Sequence, residues 1–531
     1  MAAPCLYDPA FFGQWIIDPV TVASPAPETS IEDVATRSAV RTRRGITASG
    51  FYFVDPQLPA GLGNTRHARD AHGTDSSSSG ATRSSDEMWE TLTPTYWTSV
   101  PPQTDDHTQH CLALCWPVTL TENLTQQKPV SCTAVMTIVR LKPRKALPFF
   151  CRHPWVFAGA IDKVHGNPRT GDEVRLVTAE GEFIARGLYN AASKIQVRLY
   201  RWEDAPLDRD YWRTRLERAL ALRQQLFGDT SAARNACRLV FSEGDGLSGL
   251  TVDRYGDWLL TQWTSAALWT RRDELLDLLN ELVRPRGIWQ RTEKGMGELE
   301  QLEASDGLAS GEPPPNPIII TENGVEYAVD VVAGQKTGFY FDQRENRQVL
   351  SRFTRDARVL DICTYTGSFG LNALKNGRAK SVLAVDSSRN SLELAMQNAE
   401  RNGVADRFQT EVADAFDKLE ELAAAKQEFY VVILDPPKLA RTQSGLKRAM
   451  KAYVRMNRLG MQVVRPGGLL MTCSCSGLVS RSEFEQVLVQ SAQQAGREVQ
   501  ILDERGQAPD HPVSAHCLET NYLKCFLCRI S

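Results

Sequence analysis

From about residue 326 the chain alternates short apolar runs with amphipathic segments, and an aspartate stands at or near the end of each of the first four runs. The runs are ARVLDICTY, KSVLAVD, DRFQTEVAD, FYVVILDPP and GGLLMTCSC. A run of this length between helix-period segments reads as a strand buried on both faces. The pattern therefore predicts an α/β fold with a parallel, doubly wound sheet. Such sheets bind ligands at the carboxyl ends of their strands, where Asp361, Asp386, Asp414 and Asp435 fall. A surface aspartate capping a helix explains any one of them, but four at successive strand ends point to a ligand site.

The residue types around these acids narrow the ligand. After Asp361 comes Cys363-Thr364-Tyr365-Thr366-Gly367-Ser368-Phe369-Gly370, a glycine turn that lets backbone approach a ligand ahead of a helix N-terminus. Asp386 suits the hydroxyls of a ribose, and Asp414 an adenine amino group. The GxGxxG fingerprint of a dinucleotide site is absent. Asp435-Pro436-Pro437-Lys438 makes a stiff loop with few free donors, suited to holding a planar base against a methyl donor. The pattern resembles class I methyltransferases.

The fifth run continues into Thr472-Cys473-Ser474-Cys475-Ser476-Gly477. Cytosine C5 does not attack a sulfonium methyl unaided, but a thiolate adding at C6 makes it electron-rich. A cysteine at a strand's carboxyl end stands where that chemistry needs it, and Cys475 is expected to fill the role. Cys473 is expected to be a packed core thiol.

The rest of the chain divides by composition. Residues 1–135 carry 8 basic and 14 acidic side chains, four of the eight histidines and the tract DSSSSG. No helix or strand period persists there. The expectation is an extension that is disordered or spurious, with Met136 as the authentic start. From 136 to 208 short strands and turns follow closely, as in a small barrel. From 209 to 325 the reading is a helix (YWRTRLERALALRQQLF), two strands around a Gly/Asp turn, a second helix (RRDELLDLLNELV) and a linker at Pro313-Pro314-Pro315. The tail HCLETNYLKCFLCRIS reads as one or two strands including an antiparallel edge.

These segments carry a specific resemblance. RHPWVFAGA at 152–160, EGDGLSGLTVDRYG at 243–256, GQKTGFYFDQRENR at 334–347, TYTGSFG at 364–370, DPPK at 435–438, SCSG at 474–477 and DHPV at 510–513 resemble the RlmI family of ribosomal RNA large subunit methyltransferases. The likeness covers nearly all of residues 136–531. It implies a PUA-like β-barrel over 136–208, a small α/β linking domain over 209–325 and a Rossmann-like class I methyltransferase domain over 326–531. The implied product is 5-methylcytidine in 23S ribosomal RNA. Mapped onto this chain, the cysteine of SCSG is Cys475. The S-adenosyl-L-methionine site takes Asp361, Asp386, Asp414 and Asp435, with Tyr365, Thr366 and Gly367 in the first turn. Many RNA cytosine-C5 methyltransferases carry a second cysteine after the fourth-strand proline, where this chain has Pro437-Lys438. A single-cysteine mechanism follows, with Asp435 or an activated water as proton acceptor.

For RNA contacts, Arg140, Lys142, Arg144, Lys145 and Arg152 form a basic cluster before His153-Pro154-Trp155. Basic residues beside an exposed aromatic suit a phosphate backbone with a stacked base. The alternative is a solvated strand edge with Trp155 in the core. Lys336 and Arg344 are placed to line the target pocket or to serve in caps and salt bridges. Unfolded or partly assembled RNA is the easier substrate, because a base in a helix must be flipped out.

Several classes are disfavoured. No run of about 20 apolar residues predicts a membrane span, and no leader is recognisable, so the protein is expected in the cytoplasm. The 12 cysteines fit reduced thiols, and the pairs Cys111/Cys115 and Cys525/Cys528 lack a second pair, so no metal is expected. A homodimer is left open. Two rival readings are an RNA methyltransferase acting on an exocyclic amine such as guanine N2, and a non-catalytic RNA-binding assembly factor.

Overall fold

The computed structural model describes residues 136–531 apart from 229–234, 293–294, 304, 333 and 335–336. The segment 1–135, with Cys111 and Cys115, and Lys336 lie outside the described residues.

The last domain is built on seven strands. They are β1 (Arg358–Ile362), β2 (Ser381–Asp386), β3 (Phe408–Val412), β4 (Phe429–Leu434), β5 (Val464–Ser474), β6 (Val499–Arg505) and β7 (Lys524–Ile530). Their order is 3-2-1-4-5-7-6, with the first five parallel and β7 antiparallel to both β5 and β6. Alternate side chains of β1 enter two cores on opposite faces, Val359 in one and Leu360 and Ile362 in the other. The order in which strands are laid across the sheet reverses at β1, whose neighbours are β2 and β4. A crevice at their carboxyl ends is the expected ligand position.

Helices fill both faces: α1 (Arg344–Ser351), α2 (Ser368–Lys375), α3 (Arg389–Arg401), α4 (Ala415–Ala424), α5 (Leu446–Val463) and α6 (Arg481–Ala495). Side chains stop their orphan N–H groups. Ser388 caps α3, Asp414 caps α4, and Ser480 with Glu483 forms a capping box at α6.

The tail differs from its sequence reading in one respect. Its strand β7 is antiparallel, but it lies inside the sheet, and the edge is β6. Cys525 and Cys528 on β7 enter opposite cores, so they do not form half of a metal site.

The middle region forms a five-stranded sheet under helices Arg209–Phe227 and Arg272–Val283. Where two strands were expected around the Gly/Asp turn there are three, Ala236–Phe241, Leu250–Tyr255 and Trp258–Trp263. Strands Gly287–Thr292 and Gly307–Gly311 complete the sheet. A hairpin, Ile318–Glu322 with Val325–Val329, follows and packs Ile320, Tyr327 and Val329 into one core of the seven-stranded sheet.

Residues 137–201 form one six-stranded mixed sheet. Val156 on one edge strand shares a core with Val139 and Val174 near the other edge, as a sheet curled on itself requires. The joint to the later domains is polar. Arg198, 6% exposed, reaches Glu243 and Glu300, and Trp155 Nε1 donates to Glu243 Oε1 at 2.9 Å. Glu519 accepts from His153 Nε2 and from the Cys517 thiol, both at 3.4 Å. Because the Trp155 amide donates to His153 Nδ1, the ring proton sits on Nε2, and this cluster works as a clasp.

Candidate active site

Three loops at the carboxyl ends of β1, β2 and β4 are stitched together by backbone bonds. Thr364 N donates to Val385 O, and Asp435 N donates to Ile362 O. Asp386 accepts from Tyr365 N through Oδ2 and from Ser388 N through Oδ1, each at 2.9 Å. Cys363 and Tyr365 take φ of 61° and 53°, and Asp386 holds the amide of the second. That curl turns the chain tightly enough to start α2 three residues later.

Gly367 has a packing reason beside the ligand approach its sequence context suggested. Its φ is 83°, and a Cβ there would lie 2.9 Å from the Phe408 ring and 3.2 Å from Ala395. At Gly370 a Cβ would lie 2.8 Å from Val382. Both glycines let α2 pack closely on its neighbours.

Asp361 is 1% exposed. Its Oδ2 accepts from Thr364 Oγ1 at 2.6 Å and Gly370 N at 3.0 Å, whereas Oδ1 is buried with no hydrogen-bond partner among the described residues. Burial pushes this carboxyl up to about 7; Asp435 and Asp386 add repulsion, and its two hydrogen bonds oppose the rise. An orphaned buried acceptor of this kind fits a cationic or N–H-bearing ligand group. Thr366 is buried in the same turn, and Tyr365 OH donates to Gly338 O at 3.2 Å. Asp414 is exposed, and its Oδ1 receives both Phe416 N and Asp417 N as the cap of α4. The capping use involves one carboxylate oxygen.

The fifth strand delivers the two cysteines differently. Cys473 is fully buried and sits opposite Cys525 in the β5–β7 register. Cys475 is half-buried past the strand end, and its Sγ approaches Pro436 O at 3.9 Å. The turn that carries it is fastened from three sides. Tyr453 on α5 bridges Ser474 Oγ and Ser476 Oγ, each at 3.0 Å; Ala440 N donates to Ser476 Oγ; and Lys524 Nζ donates to Ser476 O at 2.7 Å. Tyr340 completes the site. Its ring meets Tyr365 edge-on at 5.3 Å, and its phenol is held well above the usual range by burial, then by Asp435 and Cys475.

Two family models match the chain, a PUA-like domain over residues 139–202 and an S-adenosylmethionine-dependent methyltransferase over 301–516. A ribosomal RNA large subunit methyltransferase I from Aeromonas hydrophila is 41% identical over 377 residues, covering 70% of this chain and 94% of that protein. The same-named protein of Photobacterium profundum is 40% identical, with 71% and 96% covered. The chain belongs to the ribosomal RNA large subunit methyltransferase I family. A solved structure from Streptococcus mutans, described as a SAM-dependent methyltransferase, shares the fold at a TM-score of 0.64 and 20% identity. It covers 74% of this chain and 100% of its own. The protein is thus an S-adenosylmethionine-dependent methyltransferase of large-subunit ribosomal RNA, with a PUA-like domain ahead of a Rossmann-like catalytic fold. Among the described residues no helix is long and apolar enough to cross a membrane.

Of the residues expected at the site, Asp361, Tyr365, Thr366, Gly367, Asp386, Asp435 and Cys475 gather around the ends of β1, β2, β4 and β5, and Asp414 stands at the end of β3. Two RNA candidates need correction. Trp155 is 4% exposed and bonded to Glu243, so its ring offers no face for a base. Arg344 is half-buried between domains: it donates to Ala236 O, pairs with Glu322 at 3.6 Å and stacks over Phe227 at 4.8 Å. Its guanidinium is engaged in these structural contacts, the salt-bridge role the sequence left open. Arg152 is exposed, as are Lys142, Arg144 and Lys145. Tyr340, Tyr453 and Lys524 were missed. Only Lys524 gave a signal, a cation inside the apolar run NYLKCFLC.

Proposed function

We propose that the protein methylates C5 of a cytosine in 23S ribosomal RNA through a covalent bond between Cys475 and C6, acting in the cytoplasm on unfolded or partly assembled RNA. The reading rests on one observation: the half-buried Cys475 thiol stands 3.9 Å from the carbonyl of Pro436, in the stiff loop that follows β4. A base held by that loop meets the sulfur on one side.

S-adenosylmethionine supplies an electrophilic methyl group. Asp361 would take the amino acid end of the molecule through its orphaned Oδ1. Asp386, whose two oxygens each keep lone pairs after binding Tyr365 and Ser388, would accept from the ribose hydroxyls, and the second oxygen of Asp414 would take the adenine amine. Tyr365, Thr366 and Gly367 shape the turn between them.

Cys475 acts as the nucleophile. Its thiolate adds to C6, and the electron pair of the C5–C6 double bond moves to C5, which becomes the attacking carbon. After methylation Asp435, or a water it activates, takes the C5 proton, the double bond re-forms, and the sulfur leaves. In this scheme residues 136–208 bind RNA through Lys142, Arg144, Lys145 and Arg152, residues 209–325 link, and residues 326–531 catalyse.

The test uses RNA containing 5-fluorocytidine, which has no C5 proton to lose. Wild-type protein should form a persistent covalent complex, and Cys475→Ala should form none. Absence of an adduct with wild type, together with methyl on guanine, would replace this reading with amine methylation.

A further inference from the structure

Lys524 begins β7 opposite Ser474, the residue before Cys475. It is 4% exposed, and Nζ donates to Ser476 O at 2.7 Å and Tyr522 O at 2.9 Å. Among the described residues it makes no carboxylate pair, an uncommon situation for a buried ammonium. Two of its three donors serve backbone carbonyls, one of them on the residue after Cys475. The cation is therefore fixed at the turn that carries the sulfur.

The charges around it are mixed. Burial pushes the ammonium down to about 8, so it is still mostly protonated at neutral pH. Cys475 is the first group pulling it back up; Glu483 acts the same way, and Lys438 and Arg481 act oppositely. Around Cys475 stand the phenols of Tyr340, Tyr453 and Tyr522, all held above their usual range by burial, and Asp435, which precedes the Pro436 whose carbonyl Sγ approaches, is a negative charge that disfavours a thiolate. Two hydrogen bonds to backbone carbonyls fix the position of Lys524.

We propose that Lys524 is a positioning residue that holds Cys475 as a thiolate at neutral pH. A fixed ammonium beside a sulfur stabilises S⁻ over S–H. The Cys475 proton leaves to water, and Lys524 keeps its own protons throughout. The inference rests on the reading of Cys475 as nucleophile.

The experiment is alkylation of the full chain by iodoacetamide across pH, followed by mass spectrometry on the peptide carrying Cys475. In wild type the midpoint should fall below the ordinary thiol value of about 8.5. Lys524→Met should raise it by about one pH unit or more, and Lys524→Arg should retain most of the lowering. Methyl transfer by Lys524→Met should drop about tenfold at pH 7, recover toward pH 9 and keep the wild-type KM for S-adenosylmethionine. A wild-type midpoint at or above about 8.5 overturns the proposal even where the Met variant does not fold. An unchanged midpoint in folded Lys524→Met also overturns it. If either occurs while Cys475 still traps 5-fluorocytidine, the role of Lys524 falls alone; if no adduct forms, the nucleophile reading falls and takes this with it.

Discussion

Replacing Asp361 with Asn should stabilise the unliganded protein at alkaline pH and cripple binding of the methyl donor. The carboxyl is buried, and one of its oxygens has no hydrogen-bond partner among the described residues, so its proton is held up to about 7 against an ordinary 3.8. A raised carboxyl value means that the folded state binds more protons than the unfolded state between those limits. Stability from this group is full below 3.8 and declines as pH rises through 7. By pH 8 the ionised carboxylate costs up to about 4 kcal/mol relative to the protonated form. Asn keeps an acceptor for Thr364 and Gly370 and removes the charge. Thermal melting should therefore show Asp361→Asn above wild type by about 3 °C or more at pH 8, and near it at pH 5. Calorimetry at pH 8 should show S-adenosylmethionine binding weakened about tenfold or more, for loss of a charge-assisted bond of about 1.5–3 kcal/mol. A variant that melts equally far below wild type at both pH values would refute the reasoning, because it would mean that the carboxylate is ionised and satisfied in the unliganded fold.

Three further outcomes follow from the same contacts. His511 is fully enclosed beside Asp510, and burial pushes its imidazole down to about 4, so stability should fall as pH drops from about 6.5 toward 4, by up to about 3 kcal/mol. Urea unfolding at pH 7 and pH 4.5 checks this, and equal stabilities would contradict it. Trp155→Phe leaves Glu243 short of a donor and should cost about 1–3 kcal/mol in denaturant unfolding while leaving RNA affinity intact. Arg152→Ala should do the reverse, weakening RNA binding and reducing its salt dependence without changing stability; filter binding across salt separates the two.

How much of this could be read from sequence depends on how local the cause is. Strands β1, β2, β4 and β5 were legible because strands buried on both faces read as apolar runs; β3, at the other sheet edge, buries only Phe408 and was marked instead by its alternation with helices and by Asp414 at its end. Strand β6 was not, because it lies at the sheet edge with Gln500, Ile501 and Leu502 all exposed, and no alternation survives. Gly307–Gly311 reads GLASG, whose composition disfavours a strand; it forms one by pairing with Gly287–Thr292. Trp155 and Arg344 were left between an RNA-facing and a structural reading because their partners are remote, Glu243 at 88 positions and Ala236 at 108. Cys473 and Cys475 were separable in advance because one lies within the strand and the other past its end.

The account turns on which atom receives the methyl group. Nucleoside mass spectrometry of 23S ribosomal RNA treated with the full chain and S-adenosylmethionine measures this directly. The account predicts 5-methylcytidine with wild type and none with Cys475→Ser. Methyl on a guanine amine, or 5-methylcytidine persisting in Cys475→Ser, would contradict it.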